Sequence, residues 1–194
     1  MNGYTIALFL HIVGAFGFFV ALGLEWTSVR HLGRASTAEQ VREWMQVPNE
    51  MGRLGMISML TLLAAGIYMM VTAWGPVPWI LVTFAAIVLL IVLTAALTNP
   101  RMAAIKQAVG EEQGSISPSL RNLVNDPRLR ISIQMRTAIA LGIAFLMTAK
   151  PDFVVSLLTI IVAAIFGLAS GVRIPRNQRS QEVTSDQSSA IRPR

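Results

Sequence analysis

The 194-residue chain contains no cysteine. That excludes disulfide scaffolds, thiolate zinc sites, iron–sulfur clusters and cysteine nucleophiles together. Charge is almost as scarce: 13% of residues are Asp, Glu, Lys or Arg, about half of the roughly 25% usual in soluble domains. Histidine occurs twice. The nucleophile, Walker, zinc-protease and dinucleotide motifs are all missing. With no Gly-rich phosphate loop and no paired carboxylates in its apolar stretches, the chain offers no basis for ordinary kinase or hydrolase chemistry. Proline is absent from the long apolar runs; all nine (Pro48, Pro76, Pro78, Pro100, Pro118, Pro127, Pro151, Pro175 and Pro193) fall at or beyond their boundaries, where a missing N–H does no harm.

What is present is apolar. Hydrophobic residues make up 54% of the chain, and the mean hydropathy is +0.58. They gather into five runs: Tyr4–Leu24, Leu54–Trp74, Trp79–Thr98, Ile131–Ala149 and Phe153–Val172. About 20 residues of helix span a hydrocarbon core of about 30 Å. Only a helix satisfies its own backbone over that depth. The sequence therefore predicts an all-α integral membrane bundle of five transmembrane helices over 1–174, followed by a polar, disordered cytoplasmic tail over 175–194. The first run lacks a basic n-region and is too long for a signal h-region, so it is expected to remain as the first helix.

Orientation follows from Lys and Arg. Counted from segment to segment outside the runs they number 0, 4, 0, 5, 1 and 5, and Arg136 inside the fourth run completes the sixteen. This alternation places the N-terminus outside and the C-terminus in the cytoplasm of a cell inner membrane. The net charge of +6 then reads as a topology signal that favours anionic headgroups. Nucleic acid is excluded as a partner, because the basic residues are dispersed over loops. The turns Gly75–Pro78 and Lys150–Asp152 are too short for an outer receptor or catalytic domain.

The loops 25–53 and 99–130 carry short amphipathic pieces. Ser36-x-x-Glu39 is a capping-box pattern, followed by Val41, Trp44 and Met45 on one face; Pro48 is expected to end that helix. Met102, Ile105 and Val109 repeat at helical spacing up to Gly110. Leu120, Leu123 and Val124 form a third piece after Pro118. Glu111–Ser117 between them reads as a flexible tip. These pieces are expected to lie on the membrane surface or to cover the bundle floor.

Polar groups inside lipid are costly and draw attention. His11 lies about 10 Å below the outer end of the first helix at 1.5 Å per residue, with the small residues Ala7, Gly14 and Ala15 on its face. Room beside it suits a flat ligand such as haem, or a close neighbouring helix in which the imidazole is simply hydrogen-bonded. A bis-histidine haem would need a symmetric dimer, and otherwise a methionine as second axial ligand. Met69, Met70 and Met147 fall near the depth of His11, and imidazole with thioether suits Cu(I). The plainer reading is that methionine fills irregular packing space. Arg136 is expected to snorkel to the headgroups, with a salt bridge to Glu25 or Glu50 as the alternative and Arg53 as competitor. Ala163, Gly167 and Gly171 form a small-residue row for close helix packing, within the bundle or across a homodimer or larger membrane complex.

The opening Leu8-Phe9-Leu10-His11-Ile12-Val13-Gly14-Ala15 resembles the first helix of small bacterial CopD-like membrane proteins, which share a Leu-His-x-x-Gly/Ala start. Gly66-Ile67-Tyr68-Met69 and Leu146-Met147-Thr148-Ala149-Lys150-Pro151 are similar to an uncharacterised branch of that group. The resemblance implies a bacterial inner-membrane protein with an unassigned role, in which copper uptake is suggested for relatives and a related family of haem-biosynthesis oxidases uses an early-helix histidine. It carries over His11 alone as a ligand. The expectation is therefore a small membrane protein binding haem b or copper at His11. The alternatives are a structural or accessory subunit docking another membrane protein, and a small-solute permease.

Overall fold

In the computed structural model, residues 2–172 are described; the tail expected over 175–194 lies outside them. Seven helices follow in order: α1 (Gly3–Leu32), α2 (Ala38–Met69), α3 (Pro78–Leu93), α4 (Asn99–Glu111), α5 (Pro118–Val124), α6 (Pro127–Ala149) and α7 (Phe153–Val172). Among the described residues the only β-pairing is an isolated bridge, Thr37 to Ser115. Five helical stretches are long and apolar enough to cross a membrane: Gly3–Leu32, Ala38–Trp74, Pro78–Glu111, Pro118–Ala149 and Phe153–Val172. The described residues are all-helical, and five helices of this length and apolarity are the character of a multi-pass membrane protein. The outer surface agrees: Phe16, Val71 and Phe166 are each more than two-thirds exposed, an apolar exterior that lipid solvates and water does not.

Two tight helix pairs make the bundle, α1 with α2 and α6 with α7; α3 packs on α6 and α7, and α1 meets α6. The small-residue row on α7 is spent inside the chain. A Cβ added at Gly167 would lie 2.5 Å from the Met135 Cα, and one at Gly171 would lie 2.6 Å from the Ile131 Cα. Ala163 meets Gly142 in the same seam. Glycine is needed there because the backbones themselves touch.

The helices are longer than the apolar runs. The 30 residues of α1 extend about 45 Å at helical rise, well beyond a hydrocarbon core. The amphipathic pieces continue the spans. Their apolar faces pack on each other, with Leu32, Val41, Ile105, Leu120 and Val124 buried together and Trp44, Met45 and Met102 against them. Pro48 does not end its helix: α2 runs through it. The carbonyl four residues back, at Trp44, accepts instead from the buried Ser28 hydroxyl at 2.8 Å.

The capping box sits one residue later than its first pattern match. Thr37 is the N-cap, accepting from the Gln40 amide at 3.3 Å, while Gln40 Oε1 accepts from the Ser36 amide at 2.9 Å. The frame is set from outside the helix, because the Ser36 carbonyl is taken by the Ile116 amide. The expected loose tip is likewise tied down. The Ala38 amide donates to the Gly114 carbonyl at 2.9 Å, and Arg42 donates to the carbonyls of Val109 and Glu112. Glu112 also accepts from both the amide and the hydroxyl of Ser117, and these bonds hold its carboxyl below the usual glutamate range.

Two widened, π-helical turns interrupt the regular spiral: Met70–Trp74 at the end of α2, and Thr94–Thr98 between α3 and α4. The first closes on Gly75, whose φ of +69° suits a residue without a Cβ. The second lies just before Pro100. Turns of this kind occur often at functional sites, and each of these two borders a cavity.

Candidate functional site

His11 is half-buried on α1, facing α2. Its Nδ1 lies 3.1 Å from the Leu62 carbonyl oxygen. A carbonyl only accepts, so Nδ1 carries the proton; of the two neutral tautomers this one leaves the lone pair on Nε2. Gly66 keeps the adjacent space open: a Cβ there would lie 3.4 Å from the His11 Cε1. About two helical turns beyond the Leu62 contact, α2 reaches the π-turn that carries Met70 and Trp74.

His11, Met69, Met70 and Met147 all line one cavity of about 290 Å³. Three helices that are far apart in sequence bring them together: α1, α2 and α6. Gly14 and Ala15 do not line it. The space expected beside Gly14 is filled by α2, since a Cβ at Gly14 would lie 3.0 Å from both the Ser58 oxygen and the Leu62 nitrogen. The room on the His11 face thus serves the helix contact, and the cavity opens one turn nearer the N-terminus.

The mouth of this cavity is aromatic. Trp74 Nε1 donates to the Tyr4 hydroxyl at 3.3 Å, and the Trp74 and Trp79 rings meet edge to face at 5.8 Å. The Lys150 ammonium lies 4.2 Å from the Trp74 ring centroid, a cation–π contact. Lys150 takes a left-handed backbone (φ 48°) as the C-cap of α6 and donates its amide to the Leu146 carbonyl at 2.9 Å. None of these four residues was singled out in the sequence. The available signal was depth: Tyr4, Trp74, Trp79 and Lys150 all flank apolar runs at the same end of the bundle, where amphipathic rings concentrate.

Arg136 does not snorkel. It is 6% exposed on α6 and forms an ion pair with Glu25 of α1 through Nη2. Its Nη1 donates to the Thr94 hydroxyl at 3.1 Å, within the second π-turn. The plane of α6 that carries Arg136 faces the bundle, so the short route for its charge is a carboxylate across the interface instead of the headgroups. His31 lies far from His11 in the chain and stacks on Trp44 at 4.1 Å with the rings nearly parallel.

The donor chemistry narrows what the first cavity could hold. Among the described residues no group of three or more His, Asp or Glu side chains converges as a hard-metal site would require. One imidazole with thioethers is a soft set, suited to Cu(I). Drug-sized ligands occupy pockets of about 300–1,000 Å³, so the cavity favours an ion or a small ligand over a haem macrocycle. Comparison of the chain with protein-family models, with curated proteins and with solved structures returns no match.

Proposed function

We propose that this protein is a multi-pass inner-membrane protein that holds Cu(I) at His11, with Met69, Met70 and Met147 as the thioether donors. The observation that carries the reading is the convergence of that one imidazole and three methionines on a single cavity. The Leu62 carbonyl supports it by fixing the Nδ1–H tautomer, the kind of outer contact that orients metal-bound histidines. The alternation of basic residues supports an N-terminus outside and a C-terminus in the cytoplasm, which puts the cavity in the outer half of the bilayer. The likeness of the first helix to CopD-like proteins belongs to the same proposal.

The test is the copper content of the full chain purified in neutral detergent under reducing conditions. One Cu(I) per chain is expected, competed by a Cu(I)-selective chelator and lost in His11→Ala. An optical spectrum of the same sample reports haem directly: a Soret band lost in His11→Ala would replace copper by haem. Absence of both signals, with a stoichiometric partner co-purifying, would assign the chain to the accessory-subunit class.

A further inference from the structure

A second, larger cavity of about 980 Å³ lies between α1, α2, the π-turn Thr94–Thr98 and α6, at the end of the bundle that carries α4. Its described lining combines two chemistries. Arg136, Lys106 and Arg42 face a single described carboxylate, Glu25, so the polar part is cationic on balance. The remainder is apolar and adaptable, with Phe18, Met45, Met59 and Met102 among the wall residues; methionine-rich walls accommodate flexible chains.

The guanidinium of Arg136 is incompletely used. Two of its nitrogens are paired with Glu25 and Thr94, but its buried Nε has no hydrogen-bond partner among the described residues. Its side chain is 7% exposed. A buried donor of a charged group left unpaired is expensive, and a native structure that tolerates one calls for an explanation. The π-turn beside it supplies a second, independent mark of a built site. Arg42 is already committed to the Val109 and Glu112 carbonyls, which leaves Arg136 and Lys106 as the groups to hold an anion.

We propose that this cavity binds an anionic amphiphile, a phosphate or carboxylate head on an apolar chain, with the head held by Arg136 and Lys106 beside Thr94 and the chain along the methionine-lined wall. Glu25 pairs with Arg136 and competes with the incoming head. Such a ligand is available from the membrane itself; a soluble phosphorylated compound shares the head but not the tail. The site is separate from the His11 cavity and does not depend on its function.

The test uses the full chain in dodecyl maltoside, with dodecyl phosphate and inorganic phosphate as probes and thermal unfolding as the readout. Dodecyl phosphate is expected to raise Tm saturably. Lys106→Gln should weaken that response about tenfold and Arg136→Gln should abolish it, while Glu25→Gln should tighten it by removing the competing carboxylate, a gain that a merely structural ion pair would not produce. Lys106→Gln and Glu25→Gln keep the test decisive where Arg136→Gln does not fold. No saturable response, or the same response in all the variants, overturns the proposal. Inorganic phosphate binding as tightly as dodecyl phosphate overturns its amphiphilic character and assigns the site to a soluble anion.

Discussion

The Ser28 hydroxyl donates a 2.8 Å hydrogen bond to the Trp44 carbonyl, a backbone acceptor that Pro48 leaves without its helical N–H. A residue in α1 thereby repairs a gap in α2 and lets that helix pass through a proline. Leaving a fully buried acceptor unpaired costs about 1–3 kcal/mol, and the part-buried Trp44 carbonyl falls at the lower end of that range. Ser28→Ala should therefore destabilise the protein by about 1 kcal/mol in denaturant unfolding in detergent micelles. In a Pro48→Ala background, where residue 48 regains its N–H, the same change should cost clearly less. Equal costs in the two backgrounds would show that Ser28 acts in some other way.

Met69, Met70 and Met147 line the His11 cavity with sulfur that leucine lacks. Exchanging methionine for leucine conserves volume and usually costs under about 1.5 kcal/mol. Each single Met→Leu variant should fold with nearly unchanged Tm yet lose about tenfold in Cu(I) affinity if its thioether is a ligand, an effect of about 1.4 kcal/mol. Chelator competition measures it. Three variants that all bind like the parent would remove the thioethers from the site.

Glu112 is held in its ionised form by the Ser117 hydroxyl and amide. A carboxyl whose folded pKa is depressed contributes stability above its unfolded pKa and loses it as pH falls through the folded value. The link between α4 and α5 should therefore be intact near neutrality and weaken only at pH below the ordinary glutamate range. Amide hydrogen exchange at Ser117, corrected for its intrinsic pH dependence, should show protection falling in that window. Glu112→Gln should abolish the pH dependence. Protection lost already within the ordinary glutamate range, or a pH dependence that persists in Glu112→Gln, would contradict the assignment.

Gly167 sits against the backbone of α6, where an added Cβ would lie 2.5 Å from the Met135 Cα. Gly167→Ala must push α7 away from α6, and overpacking of this kind costs about 1–3 kcal/mol. Gly23, with nothing within 4 Å of such a Cβ, provides the control: Gly23→Ala should be neutral or slightly stabilising, since alanine favours helix. Unfolding followed by circular dichroism separates the two. Equal behaviour would mean that the α6–α7 seam can open without loss.

The number of spans was legible in the sequence because lipid demands length and apolarity, and both are local properties of a run. The last run matched α7 residue for residue, Phe153–Val172. Boundaries on the α4 side were not legible. Pro48 reads as a stop, but its effect depends on whether a hydroxyl from elsewhere reaches Trp44. The capping frame at Ser36 and Thr37 depends likewise on Ile116, about 80 residues away. At the His11 site the candidate ligands could be named from residue type and depth. The aromatic mouth was not legible because Tyr4, Trp74, Trp79 and Lys150 become neighbours only after the ends of α1, α2, α3 and α6 are packed.

The sequence by itself determined that this chain is helical, that it belongs in a bilayer, and how many times it is long enough to cross. Those properties depend on the transfer of consecutive side chains and the closure of local backbone hydrogen bonds. Tertiary structure alone decided that Arg136 turns to Glu25 and away from the headgroups, that Gly14 is spent on α2, and that His11 shares a cavity with Met147. Which face of a helix meets which neighbour is set by interdigitation of whole surfaces, a property of helix pairs that no single run contains.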